Sequence, residues 1–149
     1  MKLIERIKLN EGTIPLQTKL GYFKENRFFK YKCSMGVWTI GYGHAIKASE
    51  NFDFGITEEQ ADAMLLEDIK VAQSYARQVH VDSHDEVNDV LTEMIFQLGY
   101  SGTKKFKKFL AALQVGDYNE AANQIIDSNW YRQTPNRVKQ HAETLRSIK

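Results

Sequence analysis

The segment from Tyr31 to His44, YKCSMGVWTIGYGH, constrains the fold of this chain more than any other. It predicts a strand, a tight turn at Ser-Met-Gly and a second strand, closed by two glycines and a histidine. A hairpin of this kind carries a thiol (Cys33), a hydroxyl (Thr39) and an imidazole on one short element. The segment therefore predicts an antiparallel sheet and a cluster of chemically useful side chains.

The composition is that of a folded globule with no strong charge. Of 149 residues, 42% are hydrophobic and 26% charged, and the formal net charge is +1, which argues neither for nor against a polyanionic partner. A single cysteine excludes an intramolecular disulfide and suits a protein made in a reducing cytosol. No run approaches the ~20 apolar residues of a membrane span, and the first residues do not resemble a secretory signal peptide.

The pattern along the chain predicts an α+β fold. Apolar residues on one face predict a first helix over about residues 2–11, which Gly12 ends. Clustered aromatic residues and turn signals predict a small β lobe over about 13–56, with an antiparallel sheet of about three strands and a loop over 45–56. The remainder, about 57–149, is expected to form a larger helical lobe within the same single domain.

Capping patterns indicate where the helices of the helical lobe begin. Three side chains have a polar partner three residues on, as in a capping box: Thr57 with Gln60, Ser83 with Glu86, and Asp117 with Glu120. Residues 104–114 predict a further helix with its phenylalanines and leucines inward. Pro135 predicts one more start, because proline favours the first helical turn.

Two carboxylates lie on apolar faces of predicted helices. Glu11 continues the face of the first helix, where partial burial would favour the protonated form that a general acid needs. The alternative, an ordinary exposed helix-end glutamate, is favoured by spacing alone. Asp68 points toward the core and needs a partner, for which His44 is preferred over Arg137. That pair is expected to be structural, because no serine completes a catalytic triad.

The other reactive side chains favour simpler interpretations. A lone cysteine such as Cys33 is more often a buried small residue than a nucleophile, although a pair with His44 is conceivable. His80 and His84 have the spacing of metal ligands on a helix, but a predicted helix cap between them breaks the register, so no metal is expected. His141 is expected to be solvated.

The densest basic run is KKFKK, at residues 104–108. The preferred interpretation is a solvated helix face with two aromatic side chains in the core. Contact with an anionic polymer such as a bacterial wall is the functional alternative, and contact with nucleic acid is less favoured. We therefore predict no nucleic-acid partner. We also predict a monomeric protein that uses no cofactor.

Five segments resemble the phage-type lysozymes, the endolysin family. They are MKLIERIKLNEG, YKCSMGVWTIGYGH, GITEEQADAMLLEDI, MIFQLGYSG and DSNWYRQTPNRVK, and they are distributed along nearly the whole chain. The resemblance implies a lysozyme-like fold in which a long helix joins the two lobes. It also implies a muramidase, which hydrolyses the β-1,4 bond between N-acetylmuramic acid and N-acetylglucosamine in peptidoglycan. Such an enzyme would wait in the host cytoplasm until it is released to lyse the wall.

The resemblance assigns roles to individual residues. Glu11 matches the catalytic acid, and Thr39 matches the threonine that helps hold the attacking water. Cys33 stands where many members carry an aspartate and some carry a cysteine. The matches also comprise an ion pair of His44 with Asp68, Arg137 paired with the catalytic glutamate, and Phe96 and Gln97 touching the sugar chain.

The chain departs from the family pattern in the β lobe. It is longer between Glu11 and Cys33 and shorter between His44 and Thr57, so this lobe is expected to be rebuilt. An inverting mechanism is preferred, in which water attacks the sugar from the face opposite the acid. Two alternatives remain: a wall-binding or virion structural module that has lost catalysis, and a lytic transglycosylase with Glu11 as both acid and base.

Overall fold

The computed structural model describes residues 1–33 and 35–149. The chain forms two compact units, Met1–Lys70 and Val71–Lys149. The division falls inside the longest helix, α3 (Glu58–Val79), whose first turns belong to the first unit. The α+β class predicted from the sequence is confirmed, since the short strands lie in the first unit and helices make up the second.

The first unit combines two helices with two small antiparallel sheets. The helices are α1 (Leu3–Glu11) and α2 (Ile14–Leu20). The strands are β1 (Phe23–Lys24), β2 (Arg27–Phe28), β3 (Tyr31–Lys32), β4 (Trp38–Ile40), β5 (His44–Ala45) and β6 (Ile56–Thr57). One sheet has the order β1-β2-β6 and the other the order β3-β4-β5. The predicted hairpin is β3–β4, and β5 extends it.

The prediction of a single sheet beginning near residue 13 was wrong. Residues 14–20 are helical, because Thr13 caps the first turn by accepting a hydrogen bond from the Leu16 N–H at 3.3 Å. Proline at the second helical position, Pro15, is also compatible with a helix start. The predicted loop ends in a strand, since buried Ile56 pairs with buried Phe28 in register.

The second unit contains the rest of α3 and five further helices among its residues. These are α4 (Asp85–Lys104), α5 (Lys107–Gln114), α6 (Tyr118–Ile126), α7 (Asn129–Gln133) and α8 (Pro135–Arg146). Their inner faces enclose a core that includes Val87, Leu91, Met94, Phe109, Trp130 and Leu145. No helix in the described ranges is both long enough and apolar enough to cross a bilayer.

Three of the predicted helix starts are confirmed. Thr57 and Gln60 form a reciprocal capping box, with bonds of 2.9 and 3.2 Å between each backbone N–H and the other side chain. Asp117 caps α6 by accepting from the Glu120 N–H at 3.1 Å. The third, at Pro135, begins α8.

Other expectations in the helical region were wrong. Ser83 does not cap α4, since His84 is the capping position and makes no side-chain capping bond. The helix predicted over 104–114 begins at Lys107, because α4 continues to Lys104 across a kink at Gly99, whose φ is +78°. The short helix α7, capped by Ser128, was not predicted.

His141 is buried rather than solvated, with 3% of its surface exposed. Its ring stacks on that of Trp130 at 5.5 Å, and its Nδ1 lies 3.5 Å from Oε2 of the buried Glu93. The position follows from helical periodicity, because His141 shares a face with the buried Val138 and Leu145.

The two histidines with metal-ligand spacing bind a carboxylate instead. His80 Nε2 lies 2.9 Å from Asp82 Oδ2, and the His84 backbone N–H and Nδ1 lie 2.9 and 3.0 Å from Oδ1. The Tyr118 hydroxyl donates to Oδ1 at 3.0 Å. Burial alone would raise the pKa of Asp82, but these hydrogen bonds outweigh it and lower the pKa to about 2. No group of three or more His, Cys, Asp or Glu side chains among the described residues is arranged so that it could hold a metal ion.

We predict that Asp82→Asn lowers the free energy of unfolding by about 2 kcal/mol at pH 7, from the difference between pKa values of 3.8 and about 2. Because the folded-state pKa is depressed, this stabilisation is present above pH ~4 and is lost as pH falls through about 2. Urea unfolding at pH 7 and at low pH measures both effects, with exposed Asp127→Asn as control. An Asp82→Asn variant as stable as wild type at pH 7 would contradict the prediction.

Candidate active site

The β3–β4 ribbon has two chemically different faces. Tyr31 pairs with Thr39, and Lys32 pairs with Trp38. Side chains alternate along a strand, so the first pair and the second pair lie on opposite faces. Thr39 is buried and Tyr31 half-buried, whereas Lys32 and Trp38 are exposed. The register therefore gives the ribbon an inner polar face and an outer cationic, aromatic face.

The turn between the strands holds the thiol of Cys33 among hydrogen-bond donors. The Cys33 N–H donates to the Val37 carbonyl at 2.9 Å, and the Gly36 N–H donates to the Cys33 carbonyl at 2.9 Å. The half-buried sulfur accepts hydrogen bonds from the backbone N–H groups of Val37 and Met35 and from the Thr39 hydroxyl. Burial raises the pKa of Cys33, but these three bonds outweigh it, so the pKa lies below its ordinary value.

Thr39 links the sulfur to the strand. Its side chain is 5% exposed, and its hydroxyl can donate to the Val37 carbonyl at 3.0 Å or to the Cys33 sulfur. A hydroxyl has one proton and two lone pairs, so it makes one of these bonds at a time. When the Thr39 hydroxyl donates its hydrogen bond to the Val37 carbonyl, the lone pairs of its oxygen can accept a hydrogen bond from water.

Glu11 lies against the turn that joins β4 to β5. Helix α1 ends at Glu11, and buried Gln17 ties this end to the hairpin by donating to the carbonyls of Gly12 and Gly41, each at 2.9 Å. A methyl group added at Gly43 would lie 2.8 Å from Glu11 Oε2, so the carboxylate packs on the glycine backbone. Gly43 also has a φ of +83°, a conformation that other residues adopt at a cost.

Tyr31 completes the acidic cluster, and sequence reasoning missed it. Burial first, and then the negative charges of Glu11 and Cys33, raise the pKa of Tyr31 to about 12. Its ring stacks on that of Tyr22 at 4.4 Å. The phenol therefore stays neutral beside two groups that can ionise. Counting back from Thr39 across the predicted turn would have found Tyr31, since the two residues are directly paired.

His44 is held between two carboxylates. Its Nδ1 lies 2.8 Å from Asp68 Oδ2, the partner preferred from the sequence, and its Nε2 lies 3.0 Å from Glu50 Oε1. Sequence reasoning missed Glu50. The hydrogen bond with Asp68 raises the pKa of His44, and Glu50 adds to this against the opposing effect of burial. Because both ring nitrogens face carboxylates, His44 is placed to brace β5 rather than to activate Cys33.

The remaining predicted residues lie in the second unit. Gln97 accepts a hydrogen bond from the Trp130 indole N–H at 2.8 Å and donates to the Thr134 hydroxyl at 3.3 Å. Phe96 packs against the helical core, and Arg137 lies half-buried in the first turns of α8. The sugar contacts predicted for Phe96 and Gln97, and the pairing of Arg137 with the catalytic glutamate, stay predictions.

Known proteins are similar in sequence to this chain over most of its length. The sequence profile described as phage lysozyme matches residues 23–145. The chain belongs to the phage lysozyme family. An endolysin of Acyrthosiphon pisum secondary endosymbiont phage 1 is 34% identical over 103 residues, which is 67% of this chain and 67% of that protein. The chain is therefore a lysozyme, an enzyme that hydrolyses peptidoglycan, as its motifs predicted.

Two further relatives of this lysozyme differ in how much of their length matches. Probable T4-type lysozyme 2 of Dictyostelium discoideum is 26% identical over 149 residues, covering 82% of this chain and 88% of that protein. The pre-baseplate central spike protein Gp5 of Enterobacteria phage T4 is 32% identical over 94 residues, covering 56% of this chain and 16% of that protein. The family profile begins at Phe23 and therefore does not include Glu11.

We predict that Gly43→Ala lowers the activity of this lysozyme roughly a hundredfold, because the added methyl displaces the Glu11 carboxylate by about 1 Å. Gly21→Ala is the matched control, since Gly21 has a similar φ of +85° but no neighbour within 4 Å of an added methyl. Both variants should lose about 1 kcal/mol of stability from the positive φ. Lysis rates and urea unfolding separate the two effects, and equal activity in both variants would refute the placement of Glu11.

Proposed function

We propose that this lysozyme is a muramidase that cleaves the β-1,4 bond between N-acetylmuramic acid and N-acetylglucosamine, with Glu11 as general acid. The observation that carries the proposal is the packing of the Glu11 carboxylate on Gly43, in the unit that also holds Cys33 and Thr39. A carboxylic acid beside a second ionisable group is the arrangement that glycoside hydrolysis uses.

The proposed chemical step needs one proton given and one proton taken. Glu11 donates its proton to the glycosidic oxygen as the bond from that oxygen to the anomeric carbon breaks. Water attacks the anomeric carbon from the opposite face and loses a proton to the Cys33 thiolate. Thr39 orients the water through its lone pairs. The sugar is released with inverted configuration, and solvent then returns the proton from Cys33 to Glu11.

The hydrogen bonds to sulfur support this role for Cys33. A thiolate in place of a carboxylate needs donors that favour its charged form, and the turn supplies two backbone N–H groups and the Thr39 hydroxyl. The negative charge of Glu11 opposes ionisation of Cys33, so the hydrogen bonds to sulfur must act against it. The mechanism requires a protonated Glu11 together with a Cys33 thiolate.

The biological role that we propose is lysis of a bacterial host. The relative named endolysin supports this role. The enzyme would stay in the host cytoplasm until it is released, and its partner would be the peptidoglycan of the wall. His44, held by Asp68 and Glu50, would keep the hairpin in place while the polymer binds.

We predict that Glu11→Gln lowers the rate of peptidoglycan cleavage by roughly 10²–10⁴-fold, because the amide cannot donate the acid proton. Glu5→Gln on the same helix is the control, since glutamine can keep its capping contact with Lys2. The assay is the release of reducing ends from purified peptidoglycan by folded protein. A Glu11→Gln variant with near-normal rates would contradict the assignment of Glu11 as the general acid.

The products of the same digest separate the alternatives. Hydrolysis gives reducing ends, whereas a lytic transglycosylase gives anhydro-muramic ends and a wall-binding module gives no products. We expect reducing ends. Anhydro-muramic ends from the wild-type protein would replace the hydrolytic mechanism with transglycosylation by Glu11.

A substitution series at Cys33 tests whether the group must carry charge. We predict that Cys33→Asp keeps activity, whereas Cys33→Ala and Cys33→Ser lose most of it, because alanine and serine are not ionised near neutral pH. The acidic limb of the pH–rate profile should move to lower pH in Cys33→Asp, since a carboxyl ionises at lower pH than a thiol. Full activity of Cys33→Ala would make Cys33 a packing residue.

A further inference from the structure

The outer face of the β3–β4 ribbon carries an exposed indole between two cations. Trp38 is 47% exposed. The ammonium groups of Lys30 and Lys32 lie 5.1 and 5.3 Å from the centre of its ring. Cation–π contacts of this length hold the two charges beside the indole. A large aromatic surface flanked by positive charge suits a partner that has both an apolar face and an anionic group.

A pocket of about 340 Å³ adjoins this surface. It is lined by Lys30, Ile46 and residues 48–53 of the loop that follows β5. Phe52 gives one half-buried aromatic wall, and Ser49 and Asn51 give hydroxyl and amide groups. Two carboxylates also line the pocket, and each has a cationic partner: Glu50 binds His44 and Asp53 binds Lys30. The volume lies at the small end of the ~300–1,000 Å³ range of ligand pockets, which suits one sugar residue rather than a longer segment.

Lys30 joins the pocket to the indole. Its ammonium lies 2.9 Å from Asp53 Oδ1 in the pocket and over the Trp38 ring at the same time. The backbone adds a second link, because the Ile46 N–H donates to the Trp38 carbonyl at 2.9 Å. The indole is therefore linked to the pocket through Lys30 and Ile46, and we term the pocket together with Trp38 and Lys32 the loop pocket.

The loop pocket is separate from the proposed catalytic groups. Its lining residues include none of Glu11, Cys33 or Thr39. Trp38 and Thr39 are adjacent in β4, so their side chains leave opposite faces of the ribbon. A ligand in the loop pocket would therefore be held by the same hairpin but on its outer side.

We propose that the loop pocket is an accessory binding site for an acidic N-acetylated sugar of the wall polymer, the chemistry of a muramic acid residue that bears no stem peptide and therefore keeps its carboxylate. The inference rests on the proposed function for the identity of the polymer. The apolar face of the sugar ring packs on Trp38. The carboxylate of the sugar pairs with Lys32, and the polar groups of Ser49 and Asn51 bind its hydroxyl and acetamido groups. The site would hold the polymer near the hairpin while the catalytic groups act on another bond.

Tryptophan fluorescence reads this site directly. The chain has two tryptophans, Trp38 and Trp130. Because Trp130 is only 2% exposed, a change in emission when a ligand binds at the surface is assigned to Trp38. The protein is the full-length Glu11→Gln variant, so that fragments are not cleaved. The probe is the disaccharide of N-acetylglucosamine and N-acetylmuramic acid without a stem peptide, which keeps the muramic carboxylate free, compared with neutral N-acetylglucosamine tetramer. We expect a saturable change in emission with the acidic fragment and a weaker response to the neutral one.

Three substitutions, each added to Glu11→Gln, sharpen the test. Ala48→Leu fills the exposed mouth of the pocket and should abolish the response, whereas Phe54→Ala removes an aromatic that is 88% exposed and does not line the pocket, and should leave it intact. In sedimentation with insoluble peptidoglycan, Trp38→Ala should bind roughly tenfold more weakly than Phe54→Ala, the scale of a well-packed aromatic contact.

Three results would overturn the proposal. They are an emission of Trp38 that does not respond to the acidic fragment, a response that survives Ala48→Leu, and a response only to anionic phosphatidylglycerol vesicles, which would make the surface a membrane contact. Failure of the proposed function looks different. In that case the wild-type protein would release no reducing ends, although the emission of Trp38 still responds to the acidic fragment. Normal hydrolysis without a change in Trp38 emission would contradict the accessory site and leave the proposed function intact.

Discussion

The pairing register of β3 with β4 is the constraint on which the candidate site depends. Tyr31 opposite Thr39 places the polar residues of the hairpin on one face, and Lys32 opposite Trp38 places the cationic and aromatic residues on the other. A slip of one residue would exchange the two faces and move Thr39 away from the sulfur of Cys33.

In the proposed mechanism, a thiol takes the place of a catalytic carboxylate. A carboxylate is ionised at neutral pH without help, whereas a thiol needs hydrogen bonds to its charged form. The turn supplies these from the backbone of Met35 and Val37 and from Thr39. The donors depend on backbone geometry and on one buried threonine, so the chemistry of Cys33 is a property of the hairpin as a whole.

Local pattern predicted the parts of the site that depend on neighbours in sequence. The hairpin, the helix that ends at Glu11 and the inward direction of Asp68 all follow from short-range spacing. Contacts between distant segments were missed. Gln17 donates to Gly41, and Glu50 binds His44 from a loop whose path no periodicity describes. His141 was expected in solvent because histidine is polar, although its position on the face of Val138 predicts burial.

The ionisation of Cys33 is the central claim, and the single cysteine of the chain makes it directly measurable. The rate of alkylation by iodoacetamide, followed against pH, reports the pKa of this thiol in the folded protein and in the urea-unfolded chain. The account predicts a lower pKa in the folded protein, and a rise toward the unfolded value in Thr39→Val. A folded-state pKa equal to or above that of the unfolded chain would contradict it.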